Sequence, residues 1–174
     1  MLTDERGFPY YRGSTFKGVF REEMARVLAW ERKDSSGELE ILFGEGRPGA
    51  DSSEENRRRL VFSDFVLSSG VRETIREEIG DNPGQILACL SNMRAFTQIS
   101  RDGTAEKGSL RYARCINKGL IFYSTILCSA EDAENIIETL SFVKWIGTMR
   151  NRGFGNVRIE AAREHKGPDP DQAG

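Results

Sequence analysis

The segment Arg12-Gly-Ser-Thr-Phe-Lys-Gly-Val-Phe-Arg21 constrains this chain most, because it opens a long helix with the wrong charge. Ser14 reads as an N-cap, and Phe16, Val19, Phe20, Val27 and Leu28 recur at helical spacing. That pattern predicts a helix from about Ser14 to Trp30 with one face in a core. Unpaired backbone N–H groups make a helix start partly positive, so its first turn favours Asp or Glu. This one holds Lys17, with Arg12 ahead and Arg21 one turn on. Each such cation costs about 0.3–1 kcal/mol at an exposed helix start. A helix N-terminus supplemented by cations is also what a bound phosphate requires. The alternative is a solvated helix start that carries basic residues by chance.

A second stretch of the same kind, Trp145-Ile-Gly-Thr-Met-Arg-Asn-Arg-Gly-Phe-Gly-Asn-Val-Arg-Ile-Glu160, lies near the C-terminus. A helical pattern (Ile136, Ile137, Leu140, Val143) runs into Gly147, Gly153 and Gly155, and an alternating strand is expected after it, with Val157, Ile159 and Ala161 on one face. Glycines admit positive φ and close approach to a ligand. Successive N–H groups in such a loop can form an anion-binding concavity, within reach of Arg150 and Arg152. A plain helix-to-strand connector is the alternative, and the pairing of two basic glycine-bearing stretches favours phosphate binding.

At 174 residues and 38% hydrophobic content the chain can build one ordinary core. No apolar run is long enough to span a bilayer, and no signal-peptide pattern opens the chain. Cys89, Cys115 and Cys128 are odd in number and lack the short paired spacing of a zinc or redox site, which reads as buried thiols in a cytoplasmic protein. The net charge of −2 gives no general attraction to nucleic acid, so any phosphate backbone must be held by a local basic surface.

Along the chain, Glu38 to Phe43 reads as a short strand, 44–59 as a mobile loop ending in Arg57-Arg58-Arg59, and Leu60 to Leu67 as a strand. Val71 to Leu90 reads as partly helical. Leu110–Ile116 and Leu120–Leu127 are expected to pair as a hairpin across Asn117-Lys118-Gly119. Ser129 is expected to cap the last helix, with Glu131 and Asp132 in its first turn. Residues 163–174 read as a disordered tail.

These residues resemble the RAMP superfamily of CRISPR effector complexes, and within it the repeating backbone subunit of type III complexes. Tyr10 to Arg21 is similar to the family's Pro-Gly-Ser-Ser-Leu-Lys-Gly segment, with Arg12 in place of Pro. Leu42-Phe-Gly44 and Leu60 to Leu67 resemble its Leu-Phe-Gly and Val-Asp-Ala blocks. Ile99-Ser-Arg-Asp-Gly-Thr-Ala105, leading to Gly108-Ser-Leu110 and Gly119-Leu-Ile-Phe122, resembles its Ile-Asp-Arg-Thr-Gly-Ala region, and Gly147 to Gly155 resembles its glycine-rich loop.

The resemblance implies an α+β, ferredoxin-like RAMP fold of the RNA-recognition type over residues 1–162. It implies a thumb-like insertion and hairpin at 90–118, where Met93 and Phe96 are candidate wedges between bases or else core residues. It further implies a cytoplasmic subunit that holds guide RNA, meets target RNA through that guide, and stacks with other effector subunits in a filament, away from membranes. Gly13, Ser14, Thr15, Lys17 and Arg21 would hold RNA at the helix start, and Arg150, Arg152, Gly153 and Gly155 in the loop. Relatives begin with a strand and a loop carrying a catalytic Asp. The N-terminal strand is expected to be missing here, and Asp4 falls at a turn instead.

No catalytic residue, metal site or cofactor is therefore assigned. The only histidine, His165, lies in the tail; Asp64 and Asp102 lack acidic neighbours at metal-binding spacing. The alternative reading is a metal-dependent endoribonuclease subunit cleaving guide-matched target RNA, with its Asp supplied by a partner chain. A small-metabolite regulatory module is a third.

Overall fold

Two sets of interleaved segments organise the chain: Met1–Gly13 with Ser63–Thr125, and Ser14–Phe62 with Ile126–Gly174. The structure, a computed structural model, describes residues 2–31, 35–44, 59–98, 100–104 and 106–162. The expected loop at 44–59, apart from Gly44 and Arg59, and the expected tail at 163–174 lie outside the described residues.

In the first unit, β1 (Leu2–Thr3) pairs antiparallel with β2 (Pro9–Tyr10). Asp4 forms the turn between them: its Oδ1 accepts the N–H groups of Arg6 at 3.0 Å and Phe8 at 2.9 Å. Phe8 is thereby placed in a core with Leu67, Ile86 and Leu90, against which Ile75, Ile79, Leu120 and Phe122 pack. α3 (Ser69–Ile79) starts at Ser68, whose hydroxyl accepts from Val71. α4 (Pro83–Leu90) starts at Asn82, with Pro83 in its first turn, and buries Ile86 and Leu90 four residues apart.

The expected hairpin across 117–119 does not form. β6 (Arg111–Ile116) pairs instead with β5 (Ser91–Phe96), in register from Ser91↔Ile116 to Phe96↔Arg111. Asn117 explains the change: its side chain donates to the Cys89 carbonyl at 2.8 Å and its N–H to the Leu90 carbonyl at 3.0 Å. Those bonds turn the chain back to the end of α4 rather than on into the next strand. Met93 and Tyr112 are exposed on this ribbon and Phe96 is half-buried, so Met93 is not a core residue.

The expected strand Leu60–Leu67 is broken in two. β3 (Val61–Phe62) pairs with β8 (Ile126–Leu127) in the second unit, and β4 (Val66–Leu67) pairs with β7 (Phe122–Tyr123) in the first. At the break, Ser63 and Ser124 hydroxyls lie 3.1 Å apart and the Ser63 hydroxyl accepts the Thr125 N–H at 2.8 Å. Side-chain oxygens competing for backbone groups interrupt the ladder there.

The second unit is built on α1 (Gly13–Trp30). Phe16, Phe20, Met24 and Leu28, each four residues on, form its buried stripe, while Val19 and Val27 flank it half-buried. The Phe20 ring lies 5.6 Å from Phe62 and 6.0 Å from Phe43. The expected strand at 38–43 is a helix, α2 (Ser35–Phe43). Leu42 and Phe43 are consecutive and both buried, with Leu39 half-buried, which fits one helix face but not strand alternation.

α5 (Ala133–Phe142) buries Ile136, Thr139 and Leu140 and begins after Asp132, not Ser129. The Ser129 hydroxyl donates to Asp132 Oδ2 at 2.5 Å and so holds that residue rather than the helix. The strand expected at 157–161 reduces to one bridge, Trp145↔Asn156, although Val157 and Ile159 remain half-buried between exposed neighbours. The cysteines also depart from expectation: Cys89 and Cys128 are exposed and Cys115 is half-buried. α4 turns Ile86 and Leu90 inward, which leaves Cys89 on its outer side.

Candidate nucleic-acid interface

The helix start is occupied differently from what its sequence suggests. α1 begins at Gly13, so Ser14 sits exposed in the first turn and is not the N-cap. The Gly13 N–H donates to Asp64 Oδ1 at 2.8 Å, across 51 residues of sequence. Asp64 lies in the break between β3 and β4, and its carboxylate satisfies the donor a phosphate would otherwise take. Gly13 is buried, while Ser14 and Thr15 are exposed.

Lys17 lies one turn further along. It is half-buried, and its ammonium donates to the Leu60 carbonyl at 2.8 Å. It stands 5.8 Å from the Phe43 ring centre, and the Arg21 guanidinium stands 6.0 Å from the same ring. Burial, then the charges of Arg59 and Arg21, hold the Lys17 ammonium below its ordinary pKa. Two cations thus meet one buried aromatic at the end of α2, and Arg59 lies beside the following Gly44. Sequence reasoning missed Phe43 and Arg59 as members of this group. The Leu42-Phe43-Gly44 motif and the basic run ending at Arg59 were the signals that pointed there.

The C-terminal stretch is built from glycine geometry. Arg150–Arg152 form a 3₁₀ turn, and Gly153 follows at φ +77°. The Arg152 N–H donates to the Met149 carbonyl at 3.0 Å, the Gly153 N–H to Arg150 at 3.1 Å and the Phe154 N–H to Met149 at 3.4 Å. These donors are used inside the loop, which corrects the expectation of an anion-binding concavity lined by them. An anion here would meet the side chains of Arg150 and Arg152, both on exposed residues. Gly155, at φ +79°, is required outright: a Cβ would stand 1.9 Å from the Ile146 carbonyl oxygen. Both basic stretches, past Gly13, belong to the second unit.

The acidic residues considered for chemistry have structural work. Asp64 caps α1, and Asp4 pairs with Arg72 at 2.5 Å besides closing its turn. Asp102 is exposed in a turn. No group of three or more His, Cys, Asp or Glu side chains is placed to hold a metal among the described residues. Nor is any helix among the described residues long and apolar enough to cross a membrane.

A family model described as the RAMP superfamily matches residues 2–158. No curated protein matches the chain. Among solved structures, it is similar to a chain of the cryo-EM structure of the type III-B Cmr-beta bound to cognate target RNA. The TM-score is 0.59 at 14% identity, covering 91% of this chain and 86% of that one.

Proposed function

The chain belongs to the RAMP superfamily, and from that premise we propose that it is an RNA-binding subunit of a type III CRISPR effector complex. On this reading it holds guide RNA by the sugar–phosphate track, reaches target RNA through that guide, and stacks with other effector subunits in the cytoplasm. A ferredoxin-like RAMP core would present the two basic stretches to the RNA, and the exposed Met93 on the β5–β6 ribbon would reach between bases.

The observation that carries the reading is the placing of Lys17 and Arg21 against the Phe43 ring, with the charges of Arg21 and Arg59 both felt by the Lys17 ammonium. Arg59 and Arg21 repel the Lys17 ammonium, and a phosphate bound beside it would offset that repulsion. The similarity to a chain from an RNA-bound Cmr-beta structure supports the same choice of ligand. The net charge of −2 is compatible with it, because phosphate contacts need only a local surface.

Fluorescence polarisation with labelled single-stranded RNA tests it. Replacing Lys17 and Arg152 together with Ala should weaken binding about 30-fold, at about 1.4 kcal/mol for the held Lys17 contact and about 0.6 kcal/mol for the Arg152 contact. All RNA sequences should suffer alike, and the salt slope should fall by about 1.4, at about 0.7 for each contact. An unchanged slope would remove the proposal.

A further inference from the structure

We infer that the Arg94–Arg111 face of the β5–β6 ribbon docks on the outer face of α3 in a second copy of this chain. The inference deepens the subunit stacking proposed above by naming both surfaces, and it rests on that part of the reading alone.

α3 carries its acidic residues where a lone helix would not favour them. Ile75 and Ile79 pack toward the core, which turns Glu73 and Glu77, four residues apart, to the opposite side. Both are exposed, as is Glu78. Like charges at that spacing repel. Glu77 and Glu78 also stand in the last turn, where unpaired carbonyls already make the helix end negative. The two arginines of this helix are taken: Arg72 is held by Asp4, and Arg76 by Asp81, with Nη2 to Oδ2 at 2.9 Å. Glu73 acts on Arg76 through charge alone. None of the three glutamate side chains has a hydrogen bond or ion pair among the described residues.

The ribbon, in the same unit, is the complement. β5 and β6 hold three arginines and no acidic residue. Side chains alternate across a strand, so the register puts Met93, Tyr112 and Arg114 on one face and Arg94 and Arg111 on the other. Arg114 is tied to the Ser91 hydroxyl at 3.2 Å. Arg94 and Arg111 are exposed, and neither has a hydrogen bond or ion pair among the described residues. They are diagonal neighbours, about 7–8 Å apart at Cα, and half-buried Phe96 and Ala113 complete the square. Glu73 and Glu77 lie about 5–6 Å apart at Cβ, a difference that long arginine side chains span. A surface that only keeps a protein in solution mixes both signs, whereas each of these faces holds one. RNA on the ribbon would satisfy the arginines and leave the glutamates unpaired; a second copy satisfies both. Contact between unlike surfaces leaves a ribbon free at one end and a helix at the other, so copies can add in a row.

Sedimentation velocity on the full chain tests it, without RNA and with a single-stranded RNA long enough for several copies. The natural chain should associate at low salt and come apart at high salt. R94E/R111E and E73K/E77K each reverse one surface, and each should weaken association about tenfold. An equal mixture of the two variants should regain it, because each reversed surface then meets its opposite. Rescue without RNA supports the contact even if the chain binds no RNA, and rescue only on RNA supports it within the assembled row. Variants that associate as the natural chain does, or a mixture no better than its parts, would overturn the contact and leave RNA binding standing. A natural chain that stays monomeric in both arms overturns it as well. If R94E/R111E loses RNA affinity about tenfold while association is unmoved, the face belongs to RNA and the contact falls.

Discussion

The start of α1 and the loop at 147–155 carry similar residues, yet they achieve their shape by different means. Lys17 is held by a buried neighbour, the Leu60 carbonyl, and shares an aromatic floor with Arg21. The loop is shaped by its own backbone: three N–H groups close on Met149 and Arg150, and Gly155 fits only because it has no Cβ. One region positions side chains through the core, and the other positions backbone through glycine. On the proposed reading the first is preorganised for a ligand's charge, while the second offers a defined loop bearing Arg150 and Arg152 on exposed residues. Preorganisation lowers the ordering cost of binding, so the two regions should contribute unequally to affinity.

The largest effect that could break this comparison is on the loop's shape. G155A should lose about 3 kcal/mol of stability, from strain at positive φ plus the collision with Ile146, which is a fall of about 6–12 °C in melting temperature for a chain of this size. G147A, at φ +83° in open space, should lose about 1 kcal/mol. Equal melting temperatures for the two would show that the Ile146–Gly155 approach does not shape the loop.

A smaller effect sharpens the contrast in binding. K17A should weaken RNA affinity about tenfold and R152A about threefold, because the held cation has less freedom to lose. Titrations giving R152A the larger loss would invert the ranking. The smallest effect is in pH. The folded-state pKa of Lys17 lies below 10.5, so between the two values the unfolded chain binds more protons and stability rises with pH. K17M should lack that rise in denaturant melts between neutral and alkaline pH. A parallel rise in both proteins would assign it to other groups.

Much of the local structure was legible. The stripe of α1 followed from apolar spacing, and Met24, which completes it at four-residue intervals, was the one member overlooked. Asp4 fell at a turn as expected. The misreadings share a cause. Glu38-Leu-Glu-Ile-Leu-Phe43 alternates briefly like a strand, and only the joint burial of Leu42 and Phe43 marks it as a helix. Asn117-Lys-Gly119 has good turn chemistry, but β6 had a longer partner in Ser91–Phe96, whose Ser, Asn and Ala give little strand signal. Neither choice could be settled by neighbours in sequence.

Charge, periodicity and glycine placement already determined where the long helix lies, where basic residues collect and that phosphate is the chemistry to test; the family resemblance narrowed it to RNA. Tertiary structure decided which of those charges are held. Asp64 reaches back 51 residues to cap α1, and Leu60 takes Lys17 from 43 residues away. Composition records which groups exist; a hydrogen bond of about 3 Å between distant segments depends on how the core packs, and that is a property of the folded chain alone.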